Sequence, residues 1–160
     1  NTRSRGLGDV YKRQMYTSAL KRAQLTGKII LDVLEQSDLE IIENEALNER
    51  DYGELTGSNK DEAKENFGAE QVQIWRRSYD IPPPGGESLR DTYNRVIPYF
   101  KKEVLPLMDN KNVLMSAHGN SLRALVKYLD NISEEDVVRL EISTGEPIFY
   151  KFINGKFIRQ

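Results

Sequence analysis

The sequence has no cysteine and a single histidine in 160 residues. Disulfides and thiol chemistry are thereby excluded, and one imidazole without cysteine argues against a dedicated zinc site. Long apolar runs are missing too, since spanning a bilayer takes roughly 20 consecutive apolar residues and the longest runs fall far short. No segment shows the basic, apolar and small-residue order of a secretory signal. Charge of one sign is also lacking: 23 Lys and Arg face 25 Asp and Glu, for a net charge of −2. There is no global electrostatic pull toward nucleic acid or an anionic membrane, so any anion site must be local. The expectation is a cytoplasmic protein with no nucleic-acid or membrane partner and no metal. Its length suits one domain with a substantial core.

What the sequence does contain is organised around Val113–Val126, reading VLMSAHGNSLRALV. Val113 to Ser116 form a short, mostly apolar run of strand type, and helix is predicted from Asn120 or Ser121. A buried parallel strand running straight into a helix is an α/β unit, and such folds place their sites at the carboxyl ends of strands. His118 falls at that end. Gly119 allows close backbone approach or an unusual dihedral, and the N–H groups opening the helix favour an anion. On its own a histidine beside a strand more often packs than reacts, so the rest of the chain must decide.

Residues 1–14, NTRSRGLGDVYKRQ, are polar and without periodicity, with Arg3, Arg5, Lys12 and Arg13 against Asp9. They are read as an unrelated or disordered leader with no part in the fold, ahead of a domain over residues 15–160. After Tyr16-Thr17-Ser18, Leu20, Ala23, Gly27, Ile30, Leu31 and Leu34 recur at helical spacing, with Ser18 as the N-cap. Arg22 lies in the first turns, where a cation joins an anion site rather than complementing the dipole. Leu39 to Ile42 is a strand candidate. Glu43 to Gly57 reads as a loop whose charged residues have little reason to enter a core. Asn59 and Glu62 form a capping box that puts Lys60 at the first helical position, and that helix ends near Gly68. A second helix covers residues 69–79 and carries Trp75-Arg76-Arg77, stopping before the Pro82-Pro83-Pro84 run. Ser88 with Asp91 restarts a helix buried through Leu89, Tyr93, Val96, Ile97, Phe100 and Val104, and Pro98 should kink it. Ser133 caps a helix to about Leu140, and Asn154-Gly155 suits a type I′ hairpin between residues 148–153 and 156–158.

Arg22, Glu49, Tyr52, Lys60, Arg76, Arg77 and His118 together offer cationic and hydroxyl donors, one carboxylate and one imidazole, which is chemistry suited to phosphoryl groups. The strings YTSALKRA, LNERDYGELTGSNK, IWRRSYDIPPP, GGESLRDT and AHGNSLRALVKYL closely resemble the 2,3-bisphosphoglycerate-dependent phosphoglycerate mutases of the histidine phosphatase superfamily. The likeness runs in family order from Met15 to about Tyr150. It implies a three-layer α/β/α sandwich with a mostly parallel central sheet. The implied activity is glycolytic and gluconeogenic interconversion of 3-phosphoglycerate and 2-phosphoglycerate through a phosphohistidine, with 2,3-bisphosphoglycerate as primer, no metal, and a dimer or tetramer. Residue by residue, the resemblance makes Arg22 a ligand of the transferring phosphoryl group, His118 its stabiliser and Glu49 the proton donor and acceptor. Tyr52, Lys60, Arg76 and Arg77 would hold the substrate's anionic ends, with Gly119 and the backbone of Asn120 at the phosphate.

The sequence departs from the family in one respect. Members begin with a strand ending in Arg-His-Gly, whose histidine is the nucleophile, and no such segment occurs here. The expectation is an N-terminally truncated mutase lacking its first strand, inactive alone, with neighbouring strands left short of partners and stability marginal. Two other functions stay open: a phosphatase of the same superfamily, and a non-catalytic phosphoglycerate-binding module.

Overall fold

In the computed structural model, which describes residues 13–160, three parallel strands make one sheet in the order β2-β1-β3. They are β1 (Arg13–Thr17), β2 (Ile41–Glu43) and β3 (Asn112–Ser116). A separate antiparallel pair, β4 (Tyr150–Ile153) and β5 (Lys156–Arg159), closes the chain. This is the expected α/β class with a parallel central sheet. The described residues group into two compact units, one containing residues up to Asn48 with Pro98–His118 and Ile148–Gln160, the other Glu49–Ile97 with Gly119–Pro147.

β1 corrects the sequence reading of this stretch. Met15 to Ser18 are not a lead-in to a helix: Met15, Tyr16, Thr17 and Ser18 are all buried, in and just after the central strand. Arg13 and Gln14, placed by sequence in the leader, pair with Asn112 and Val113. Residues 1–12 of that leader lie outside the described residues. The helix α1 begins only at Lys21 and runs to Val33, with Leu20 as a cap lacking any side-chain bond. It lies on the sheet through Ala23, Gly27 and Leu31, of which the Leu31 side chain contributes about 2 kcal/mol by its burial. The Ser116 hydroxyl donates to the Ala23 carbonyl at 2.9 Å, tying β3 to the helix.

β3 is the strand of the organising segment, and its burial departs from the sequence expectation. Val113, Leu114 and Met115 are half-buried rather than enclosed, because among the described residues β3 pairs with β1 alone. A strand at a sheet edge keeps part of its surface in solvent even when its sequence reads as continuously apolar.

The remaining signals of local structure hold closely. Helix α2 (Lys60–Phe67) carries the Asn59/Glu62 capping box, and α3 (Ala69–Arg77) follows directly. Helix α4 (Leu89–Tyr99) opens with a reciprocal Ser88 and Asp91 pair, each side chain accepting from the other's N–H. Its Pro98 has no N–H to give, and a π-helical turn over Phe100–Val104 follows in place of a simple kink. Helix α5 covers Gly119–Leu129, while α6 (Glu134–Val137) ends sooner than the sequence indicates. Asn154 and Gly155 have φ of 51° and 75°, the pair of positive values a type I′ turn requires.

Candidate active site

The order β2-β1-β3 places the point of reversal between β1 and β3, because the chain leaves β1 for one side of the sheet and returns on the other. Parallel sheets bind ligands at the carboxyl ends of the strands flanking such a point. Those strands end at Thr17 and Ser116, and the residues just beyond are Ser18 and His118. Both are buried, at 0% and 8% exposure. The Ser18 hydroxyl and His118 Nε2 form a hydrogen bond of 2.7 Å, and the Ser18 oxygen accepts from the Leu20 N–H. Ser18, read as a helix cap, thus orients the imidazole. The signal that could have found it is the one that picks out His118, a polar residue at a strand's carboxyl end, but it is visible only once β1 is recognised. Arg22 is exposed in the first turn of α1. Its side chain is not among the hydrogen-bond partners that fix His118 to Ser18.

The second unit holds a separate cluster built on the 49–55 loop and the start of α5. Glu49 Oε1 accepts from its neighbour's N–H, Arg50, at 2.8 Å and from the Asn120 N–H at 3.1 Å. The anion at the helix N-terminus is therefore the protein's own carboxylate, held where the helix dipole favours it. A Cβ at Gly119 would meet Glu49 Oε2 at 3.8 Å, an ordinary contact, and Gly119 is not at positive φ. Gly119 is thus needed neither for a tight approach nor for an unusual dihedral. The Asn120 amide donates from Nδ2 to the Tyr52 hydroxyl at 2.7 Å, and its Oδ1 accepts from Arg123 at 3.2 Å.

Arg50 contradicts the expectation that charged residues of this loop stay out of a core. It is 5% exposed, donating from Nε to the Glu87 carbonyl at 2.7 Å and from Nη2 to the Trp75 carbonyl at 3.1 Å. A guanidinium enters a core when carbonyls satisfy its fork, and its charge centre also lies 5.1 Å from the Tyr52 ring. Trp75 and Tyr52 share a small core with Leu55, Ala63, Val72 and Phe67. Lys60 opens α2 and Arg76 and Arg77 close α3, all three exposed on the helices that form this core. The hydrogen bonds of the Glu49–Asn120–Tyr52 cluster do not include them.

Arg95 braces the loop from below. It grips the Glu87 carboxylate with Nε at 2.8 Å and Nη2 at 2.9 Å, and Nη2 also donates to the Glu49 carbonyl at 3.1 Å. Glu87 in turn accepts from the Asp51 N–H at 2.9 Å. Burial pushes the Glu87 carboxyl up, but the Arg95 hydrogen bonds, the Asp51 N–H and the Arg95 charge outweigh it and hold it below its ordinary value. A carboxyl lowered on folding stabilises the fold above its unfolded pKa, about 4.3, and that contribution is lost as pH falls through the lower folded value. Urea denaturation between pH 7 and pH 3 should therefore show stability level to about pH 5 and then declining, with a shallower decline in Glu87→Gln. An acid limb identical in the two proteins would remove Glu87 from this role.

The comparisons with known proteins agree with this architecture. The α-ribazole phosphatase from Shigella flexneri superposes with a TM-score of 0.77 at 19% identity, covering 92% of this chain and 71% of that one. A mycobacterial glucosyl-3-phosphoglycerate phosphatase superposes at 0.73 with 18% identity, covering 99% and 81%. At such identities the likeness concerns the fold. By sequence, the chain is 64% identical over 137 residues to a 2,3-bisphosphoglycerate-dependent phosphoglycerate mutase of Parvibaculum lavamentivorans, covering 85% of this chain and 65% of the relative. It is 60% identical over the same length to the protein so named in a Chelativorans species, covering 66% of it. The chain thus spans slightly less than two thirds of these relatives. The histidine phosphatase superfamily, branch 1, matches residues 4–158, nearly the whole sequence. With the family matched along that length and its fold present in the structure, the chain belongs to the histidine phosphatase superfamily.

Proposed function

We propose that this chain carries the substrate-holding and proton-transfer residues of a 2,3-bisphosphoglycerate-dependent phosphoglycerate mutase. The observation that carries the reading is the mooring of Glu49: two backbone N–H groups, those of Arg50 and Asn120, fix Oε1 and leave Oε2 beside the bare Gly119. A carboxylate held this way can take the proton of a substrate hydroxyl and return it. The relatives' names favour a mutase over the phosphatase alternative.

In this reading Glu49 exchanges the proton of the phosphoglycerate hydroxyl. His118, oriented by Ser18, donates to the phosphoryl group and offsets its charge, and Arg22 binds the same group in forked geometry. Tyr52, Lys60, Arg76 and Arg77 hold the carboxylate and the far phosphate. 2,3-Bisphosphoglycerate, when bound, would supply the phosphoryl group that primes the family's reaction, and no residue of this sequence is assigned as its acceptor. The donor set suits it, since the exposed cations Arg22, Lys60, Arg76 and Arg77 match an anion of high charge without a metal.

The sequence holds one histidine, so any phosphohistidine on these 160 residues must be at His118. Incubation with labelled 2,3-bisphosphoglycerate, then peptide mapping, is expected to give no acid-labile adduct. Calorimetry with 3-phosphoglycerate is expected to show saturable binding, weakened at least about tenfold in Arg76→Ala by loss of a charged hydrogen bond. An adduct at His118 would make it a nucleophile rather than a stabiliser, and phosphate release without 2-phosphoglycerate would make the protein a phosphatase. A folded chain that binds no 3-phosphoglycerate would overturn the reading altogether.

A further inference from the structure

The direction of the hydrogen bonds at Tyr52 is fixed by a residue that the proposed mechanism does not use. Arg123 lies one helical turn after Asn120 on α5, so the two side chains share a face. Its Nη1 is 3.2 Å from Asn120 Oδ1, and Asn120 Nδ2 is 2.7 Å from the Tyr52 hydroxyl. A guanidinium has no acceptor, so the Asn120 atom that faces it must be the carbonyl oxygen. The amide can then present only its NH2 group to Tyr52, whose oxygen accepts and whose proton is left to be given elsewhere. Asn120 is buried, with 7% exposure, so the amide has little water to turn toward. The Arg123 Nε is itself buried with no hydrogen-bond partner among the described residues, an arrangement that does not serve stability. Burial lowers the Arg50 guanidinium and the charge of Arg123 lowers it further, against the opposing effect of Tyr52, whose ring centroid lies 5.1 Å from the Arg50 charge centre.

We infer that Arg123 is a positioning residue: through Asn120 it makes the Tyr52 hydroxyl an obligate donor, aimed at an anionic oxygen of bound phosphoglycerate. This rests on the mutase reading for the identity of the anion, though not for the polarity of the relay. Without Arg123 the Asn120 amide can turn over, its oxygen then takes the Tyr52 proton, and the anion loses a donor.

Two measurements test this. Calorimetric titration with 3-phosphoglycerate is expected to show Tyr52→Phe and Arg123→Met each weakened about tenfold, the effect of one hydrogen bond to a charged group. The double variant should be no weaker than Tyr52→Phe alone, within about twofold, because both remove the same donor. Arg123→Lys, whose ammonium can also only donate, should recover most of what Arg123→Met loses. Losses that multiply to about a hundredfold in the double variant would overturn the inference. In the second measurement, the side-chain amide protons of Asn120 are followed by 15N-resolved NMR without ligand. They should exchange slowly in the unsubstituted protein, and faster in both Arg123→Met and Tyr52→Phe. Rapid exchange in the unsubstituted protein, or no change in Arg123→Met, would sink the relay. If Arg123→Met does not fold, Arg123→Lys and Tyr52→Phe supply both readouts. Should 3-phosphoglycerate fail to bind while the amide behaves as expected, the mutase reading falls and the relay is judged on the NMR result alone.

Discussion

Gly53→Ala is expected to destabilise the protein by about 3–5 kcal/mol and to disorganise the loop that carries Glu49 and Tyr52. Gly53 has φ of +55°, and a Cβ there would lie 2.2 Å from the Pro84 carbonyl oxygen and 2.5 Å from the Gly86 nitrogen. Both neighbours are backbone atoms, so neither can swing aside as a side chain would. The left-handed conformation alone costs a non-glycine residue about 1 kcal/mol. The larger part comes from driving apart two crossing segments, which are joined by Glu54 N–H to the Pro84 carbonyl at 2.9 Å and Glu87 N–H to the Asp51 carbonyl at 2.7 Å. Gly86 is packed as closely from the other side, since a Cβ on it would lie 2.7 Å from the Asp51 carbonyl oxygen. Gly57 is the control. It also has positive φ, +80°, but a Cβ there meets nothing within 4 Å, so Gly57→Ala should cost only about 1 kcal/mol. Urea midpoints of the two variants decide the matter. A cost for Gly53→Ala within about 0.5 kcal/mol of that for Gly57→Ala, the usual scatter of a surface change, would mean that the crossing yields freely.

The contrast between these glycines marks where the sequence could be read and where it could not. Both look like loop glycines, and the difference lies in a segment more than 30 positions away that no local pattern announces. Features that depend on near neighbours were legible: the Asn59/Glu62 and Ser88/Asp91 caps, the Asn154-Gly155 turn, and the strand that delivers His118. Features that depend on tertiary pairing were not. β1 reads RQMYT, with too few apolar residues to signal a strand, and is buried because it is the middle strand of three. Ser18 resembles a cap because its partner, His118, is 100 residues away. β3, conversely, reads as fully buried and is half-exposed, because among the described residues it has a partner strand on one side only, which a strand's own sequence does not encode.

Arg50→Met should separate structural from ligand-facing arginines, at an expected cost of about 3–5 kcal/mol. Methionine can fill the space of the aliphatic stem, so packing is largely kept. What goes is the pair of bonds to the Glu87 and Trp75 carbonyls, and each buried acceptor left unpaired costs about 1–3 kcal/mol. The cation over the Tyr52 ring, 5.1 Å from its centroid, adds about 1 kcal/mol more. Arg50→Lys should recover only part of this, because an ammonium is a point donor and the two carbonyls sit where a planar fork reaches both. Arg76→Ala and Arg77→Ala remove the same chemical group from exposed positions at the end of α3, and each should change stability by no more than about 0.5 kcal/mol. Denaturation and calorimetry on the same variants then give opposite orders: Arg50 dominates folding, and Arg76 dominates the binding of 3-phosphoglycerate. Equal losses of stability at Arg50 and Arg76 would show that the buried fork does not hold the loop to α3, and that Tyr52 owes its place to the small core of Leu55, Val72 and Trp75 alone.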